Sequence, residues 1–228
     1  MQLDLILEHA RIHTMTADRP SASRVGVWQG RVVGVDEEIE GCTARERVDL
    51  GGRTVLPGFN DAHAHSVWFG QTLLEVDLSE ATTLDDVLEA VRCDAERRAP
   101  GEWVKCSGYS PLSLTTRTPR REDLDAAAGG RPVLLRHNSG HAFTVNTAVL
   151  EQAGIGVAPG HQPEGGRIVT DESGKATGLL EETAMALVQE LILPESRAEI
   201  AQCLAAATEA YAAEGLTSVT DAGTAGGG

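Results

Sequence analysis

Pro57-Gly58-Phe59-Asn60-Asp61-Ala62-His63-Ala64-His65-Ser66 is the most informative stretch of this 228-residue chain. The Pro-Gly pair closes the segment before it, and an extended strand is expected to follow. Side chains two residues apart on a strand share a face, so His63 and His65 should project the same way, with Asp61 on the same side. Two neutral imidazoles at the C-terminal end of a barrel strand look into the active-site mouth and can bind one divalent ion, zinc being the usual choice for nitrogen ligands. Asp61 can accept the N–H of one imidazole and so orient it. His-x-His alone is short enough to arise by chance. Its position after a Leu-Pro-Gly turn at the end of an all-β segment gives it weight.

Upstream, the sequence reads as short strands. Leu3, Leu5 and Leu7 alternate imperfectly with Asp4, Ile6 and Glu8, and Val25–Trp28 leads through Gln29-Gly30 into Arg31–Val35. Gly30 is placed to supply the positive φ of a tight hairpin.

Downstream, strands alternate with helices. Thr83 and Asp86 form a capping-box pair ahead of Leu84, Val87, Leu88 and Val91 at helical spacing. Trp103–Cys106 and Pro132–Arg136 read as strands, Thr118-Pro119 as a helix start, and Asn146 as the cap of a helix ending at Gly154. Gly165–Gly178 reads as a hairpin turning at Glu172–Lys175. Ser196 and Glu199 open a long helix that Gly215 closes, and Leu216–Thr220 is a strand. This order predicts an α/β class. The alternation suits an α/β barrel or an open parallel sheet, with the change of pattern near residue 55. About four barrel strands can be placed by period, and the chain closes on Ala225-Gly226-Gly227-Gly228 without a covering helix. The barrel reads as unfinished.

The formal net charge is −15 and the pI near 4.8. Such a surface repels phosphate backbones and anionic membranes, which argues against nucleic acid as a partner. No apolar run approaches the roughly 20 residues of a membrane span, and the start of the chain carries acids inside its apolar stretch rather than a basic leader. Cys42, Cys93, Cys106 and Cys203 lie far apart with no CxxC pair, so buried free thiols and a cytoplasmic home are expected.

Several blocks in order carry a resemblance to a known family. They are Leu56–His65, Gly140-His141 through Leu150, Gly165–Ile168, Gly178–Glu182 and Glu214–Asp221, with Asp4–Leu7 and Gln29–Arg31 before them. The chain resembles the amidohydrolase superfamily and, within it, amidohydrolase family 3, the branch that includes N-substituted formamide deformylases. That resemblance implies an incomplete, deformed (β/α)8 metal-dependent hydrolase barrel over residues 55–228, preceded by part of a small composite β-sandwich over residues 1–54, with one or two divalent metals that activate water against an amide-like carbonyl. It also implies a lysine and two later histidines as further ligands, and an aspartate on the last barrel strand as proton shuttle.

Of that set the chain holds the pair His63 and His65. Lys105 and Lys175 lie in blocks that do not match the family's ligand lysine, and no general base follows Asp221. The resemblance therefore implies the N-terminal portion of a hydrolase acting on carbon–nitrogen bonds other than peptide bonds, with a small amide-like substrate. Zinc occupancy in this stretch alone should be weak or absent. The alternative is a truncated, non-catalytic module or pseudoenzyme. His141 lies in a block that resembles the family's substrate-pocket loop, and Asp221 ends a strand that would face the barrel mouth. Both are candidate substrate-binding residues. Self-association through an exposed sheet edge is also expected.

Overall fold

The computed structural model describes residues 1–193 and 196–223. The glycine-rich segment at 225–228, read above as an uncovered chain end, lies outside the described residues. The chain divides into two compact units, one formed by Met1–Asp61 with Gly215–Val219, the other by the rest.

The first unit is built from β1 (Gln2–Glu8), β2 (Arg11–His13), β3 (Ser21–Ala22), β4 (Val25–Trp28), β5 (Arg31–Val35), β6 (Thr43–Asp49) and β7 (Thr54–Val55). One sheet has the order β5-β4-β1-β6 and a second the order β3-β2-β7. β1 is antiparallel to β4 and parallel to β6. Its imperfect alternation has a physical cause. Leu3 and Ile6 fall on opposite faces by strand parity and both are buried, so both faces of this central strand are covered. The β4–β5 turn needs positive φ at both central residues, +50° at Gln29 and +72° at Gly30, and not at the glycine alone.

The second unit carries most of the helices. β8 (Phe59–Ala64), whose first three residues belong to the first unit, leads into α1 (Ser66–Leu74), β9 (Val76–Asp77), α2 (Leu84–Ala95), β10 (Val104–Tyr109), α3 (Arg121–Ala128) and β11 (Val133–His137). Then come β12 (Ala142–Val145), α4 (Thr147–Gln152), β13 (Gly166–Thr170), β14 (Ala176–Glu182), α5 (Ala186–Ile192), α6 (Arg197–Ala213) and β15 (Leu216–Asp221). The architecture is mixed α/β. β9, β10 and β11 run parallel, as alternating strands and helices predict. β12, β14 and β13 then extend the same sheet antiparallel. The reason is length: the four residues between β11 and β12 suit an antiparallel return, whereas a parallel crossover needs a dozen or more.

β8 pairs with β15 in a two-stranded sheet. The Phe59 N–H donates to Gly215 C=O and the Ala222 N–H to Ala64 C=O, both at 2.9 Å, which sets the two strands parallel.

Local signals place the helices well. Thr83 and Asp86 make their reciprocal capping bonds at the head of α2, and Ser196 and Glu199 do the same for α6. Val87 and Val91 are fully buried in a core with Val104, Leu124 and Leu135, each contributing about 1.5–3 kcal/mol by apolar burial. α3 starts later than the Thr118-Pro119 pair suggests. The Asp123 carboxylate accepts the Arg120 N–H at 2.8 Å and the Arg117 guanidinium at 2.6 Å and 2.7 Å, fixing the first turn at Arg121. No helix among the described residues is long and apolar enough to cross a membrane.

Candidate metal centre

β8 delivers His63 directly, while His65 stands one residue past the strand, at the N-cap of α1 with φ −128° and ψ 75°. The two rings meet edge to face, their centroids 5.3 Å apart and their planes at 85°. Both histidines are exposed, and Ala64 between them is buried. Rings this close can both reach one ion at the ~2.0–2.1 Å of a zinc–nitrogen bond, so the donor set fits part of a metal site. Among the described residues no group of three or more His, Cys, Asp or Glu is arranged to hold a metal ion. Asp61 is half-buried on the same strand, two residues before His63.

The support around His65 comes from distant residues. Trp68, one turn along α1, lies with its ring 5.3 Å from the His65 ring. The Asp221 carboxylate accepts the Gly223 N–H at 3.0 Å and the Ser66 N–H at 2.9 Å. Those two amides, with a smaller contribution from the Ser66 hydroxyl, hold the Asp221 carboxyl below its ordinary range. α1 is held against α6 by the stacked rings of Phe69 and Tyr211, 5.3 Å apart, and by a glycine contact in which any Cβ on Gly70 would collide with the Cys203 carbonyl.

His141 sits in the turn between β11 and β12, its Nδ1 3.3 Å from Glu182 Oε2, on a cleft of ≈ 620 Å³ that His137 and Ser139 also line. Glu182 is the last residue of β14, with φ +53°, and the N-cap of the short 3-10 helix over Thr183–Met185. Trp68 and Ser66 are the residues of this region that sequence reading passed over. Trp68 had a signal, being three positions from His65 at a helix start. The pairing of Ser66 with Asp221 had none.

The amidohydrolase family's sequence profile matches residues 46–228.

The chain belongs to the amidohydrolase family.

Within it, the N-substituted formamide deformylase of Arthrobacter pascens is 37% identical over 194 residues, covering 81% of this chain and 35% of that protein. The Bacillus subtilis protein YtcJ is 33% identical over 213 residues, covering 90% of this chain and 40% of YtcJ. The chain thus spans well under half the length of either amidohydrolase relative. Among solved structures, an uncharacterized metal-dependent hydrolase of Pyrococcus horikoshii superposes with a TM-score of 0.68 at 23% identity, over 94% of this chain and 42% of that one. That likeness establishes the fold.

Proposed function

We propose that this chain supplies the first metal-binding strand of a hydrolase that cleaves carbon–nitrogen bonds, other than peptide bonds, in small amide-like substrates. The observation that carries the reading is the meeting of the His63 and His65 rings at the end of β8 in an amidohydrolase chain. In this reading residues 55–228 form the first part of a (β/α)8 barrel and residues 1–54 part of a composite β-sandwich. A bound divalent ion, zinc by donor type, would polarise an amide carbonyl and lower the pKa of water toward ~7.

His63 and His65 would hold the ion through their ring nitrogens, and Asp61 would accept an imidazole N–H to fix its orientation. Asp221 caps α1 beside His65, and with His141 is assigned to the substrate side. Two imidazoles leave a zinc site short of its usual three or four protein ligands, so this stretch alone holds metal weakly.

Metal uptake and turnover test the reading together. Mass-spectrometric metal analysis after zinc loading should show weak uptake by the 228-residue chain, abolished in His63→Ala and His65→Ala. N-formyl and N-acyl amines should not turn over on this stretch alone. Zinc uptake unchanged in both variants would refute the assignment. Robust turnover by the isolated stretch would refute the view that the catalytic set is incomplete in it. Absence of turnover in the longer protein carrying this stretch would favour the non-catalytic module.

A further inference from the structure

β13 ends the six-stranded sheet on one side, with β14 as its neighbour. A strand in that position turns N–H and C=O groups outward, where another chain can build on them. β9, at the opposite end, is two residues long and offers little to pair with. β13 has five residues, and its Ile168, Val169 and Thr170 are β-branched strand formers.

The outward groups at the middle of β13 are already occupied. Gln162 Oε1 accepts the Ile168 N–H at 2.7 Å, and Gln162 Nε2 donates to the Ile168 C=O at 3.0 Å. A residue of a neighbouring antiparallel strand would exchange these same two bonds with Ile168. One side-chain amide makes them here because it carries both a donor and an acceptor. The segment bearing Gln162 is tied to the same hairpin on either side. The Ala176 N–H donates to the Val157 C=O at 2.8 Å, and the Gly166 N–H donates to the Pro163 C=O at 3.1 Å. Pro163, next to Gln162, has no N–H to offer a further strand. Gln162 is exposed, so removing its amide opens the edge without disturbing the core.

A second copy of this chain fits the edge that Gln162 covers. Two β13 strands set antiparallel about Ile168 place Ile168 against Ile168 and Arg167 against Val169, so the charge on this strand does not face its own copy. We propose that Gln162 is a guard: its amide occupies the β13 edge in place of a second copy, and without it two copies join through β13 into one continuous sheet. The device involves neither the metal nor the substrate side of the molecule, so it is independent of the hydrolase reading.

Amide hydrogen exchange at Ile168, followed by NMR in the whole chain at low and high concentration, tests the guard. In the wild type the exchange should be slow and independent of concentration. In Gln162→Ala it should be about fivefold to tenfold faster in dilute solution, then slow again as the concentration rises and copies pair. Sedimentation should show this variant gaining dimer over the wild type. Gln162→Glu keeps an acceptor for the Ile168 N–H and puts a charge on the edge, so its exchange should stay slow and it should gain no dimer. Unchanged exchange in Gln162→Ala would overturn the proposal, because the amide would then not hold the edge. So would exchange that stays fast at high concentration, which would mean an open edge that no second copy takes. Concentration-dependent exchange in the wild type, or equal dimer gain in Gln162→Glu and Gln162→Ala, would also end it.

Discussion

The Asp221 carboxylate accepts the Ser66 backbone N–H at 2.9 Å, joining residues 155 positions apart. Ser66 is the first residue of α1, where backbone N–H groups have no partner inside the helix, so Asp221 does from afar what a local cap does elsewhere. The same bond anchors the turn on which His65 stands.

The pH dependence of stability follows from that bond. With its folded pKa held below the ordinary 3.8, Asp221 stabilises the fold above that value and loses its contribution as the pH falls through its folded pKa. The stability difference between wild type and Asp221→Asn, measured by urea unfolding, should therefore shrink as the pH drops from about 5 to about 3. A difference that holds constant across this range would show that the carboxylate charge contributes nothing.

His137 gives the opposite kind of group at a higher pH. Burial lowers it from 6.5 to about 4, so below 6.5 the unfolded chain takes up a proton that the folded chain refuses. Stability should fall as the pH goes from about 6.5 toward 4, and His137→Gln should flatten that limb. Parallel urea midpoints for the two proteins across this window would contradict the assignment.

Tyr109→Phe should raise stability by about 1 kcal/mol or more, because it removes a buried hydroxyl that has no partner among the described residues and leaves the ring packing in place. A loss of stability on equilibrium unfolding would show that the hydroxyl is satisfied in solution, with no ligand added.

Gly70→Ala separates helix propensity from packing. Alanine is the better helix former by ~1 kcal/mol, so propensity alone predicts a gain. A Cβ at Gly70 would instead meet the Cys203 backbone, and forcing α1 from α6 should cost about 1–3 kcal/mol net. A more stable Gly70→Ala variant would disprove tight α1–α6 contact at this point.

What the sequence disclosed follows the range over which each signal acts. Thr83 with Asp86, Asn146, and Ser196 with Glu199 announce helix starts within a few residues, and each makes its capping bond. The His63-Ala64-His65 spacing likewise contains its own geometry, though His65 reaches its place as a helix N-cap rather than as a strand residue. Of the antiparallel half of the sheet, the β13–β14 hairpin is legible in the sequence but β12 and its pairings are not, because period counting separates strand from helix and says nothing of direction. The short β11–β12 link was the available clue. Asp221 on Ser66 and Tyr211 against Phe69 depend on chain segments meeting after folding, and no local pattern in either partner encodes that.

The pairing of β8 with β15 also sets an order of events during synthesis. The strand that carries His63 finds its neighbour only when residues 216–221 are available, so a nascent chain that has emerged only as far as α5 holds an edge with open backbone bonds. Such distant closures are slow to form and expose sticky intermediates meanwhile. Ribosome pauses before residues 216–221 are made would thus keep the histidine strand unpaired for longer, and chaperone demand should rise there.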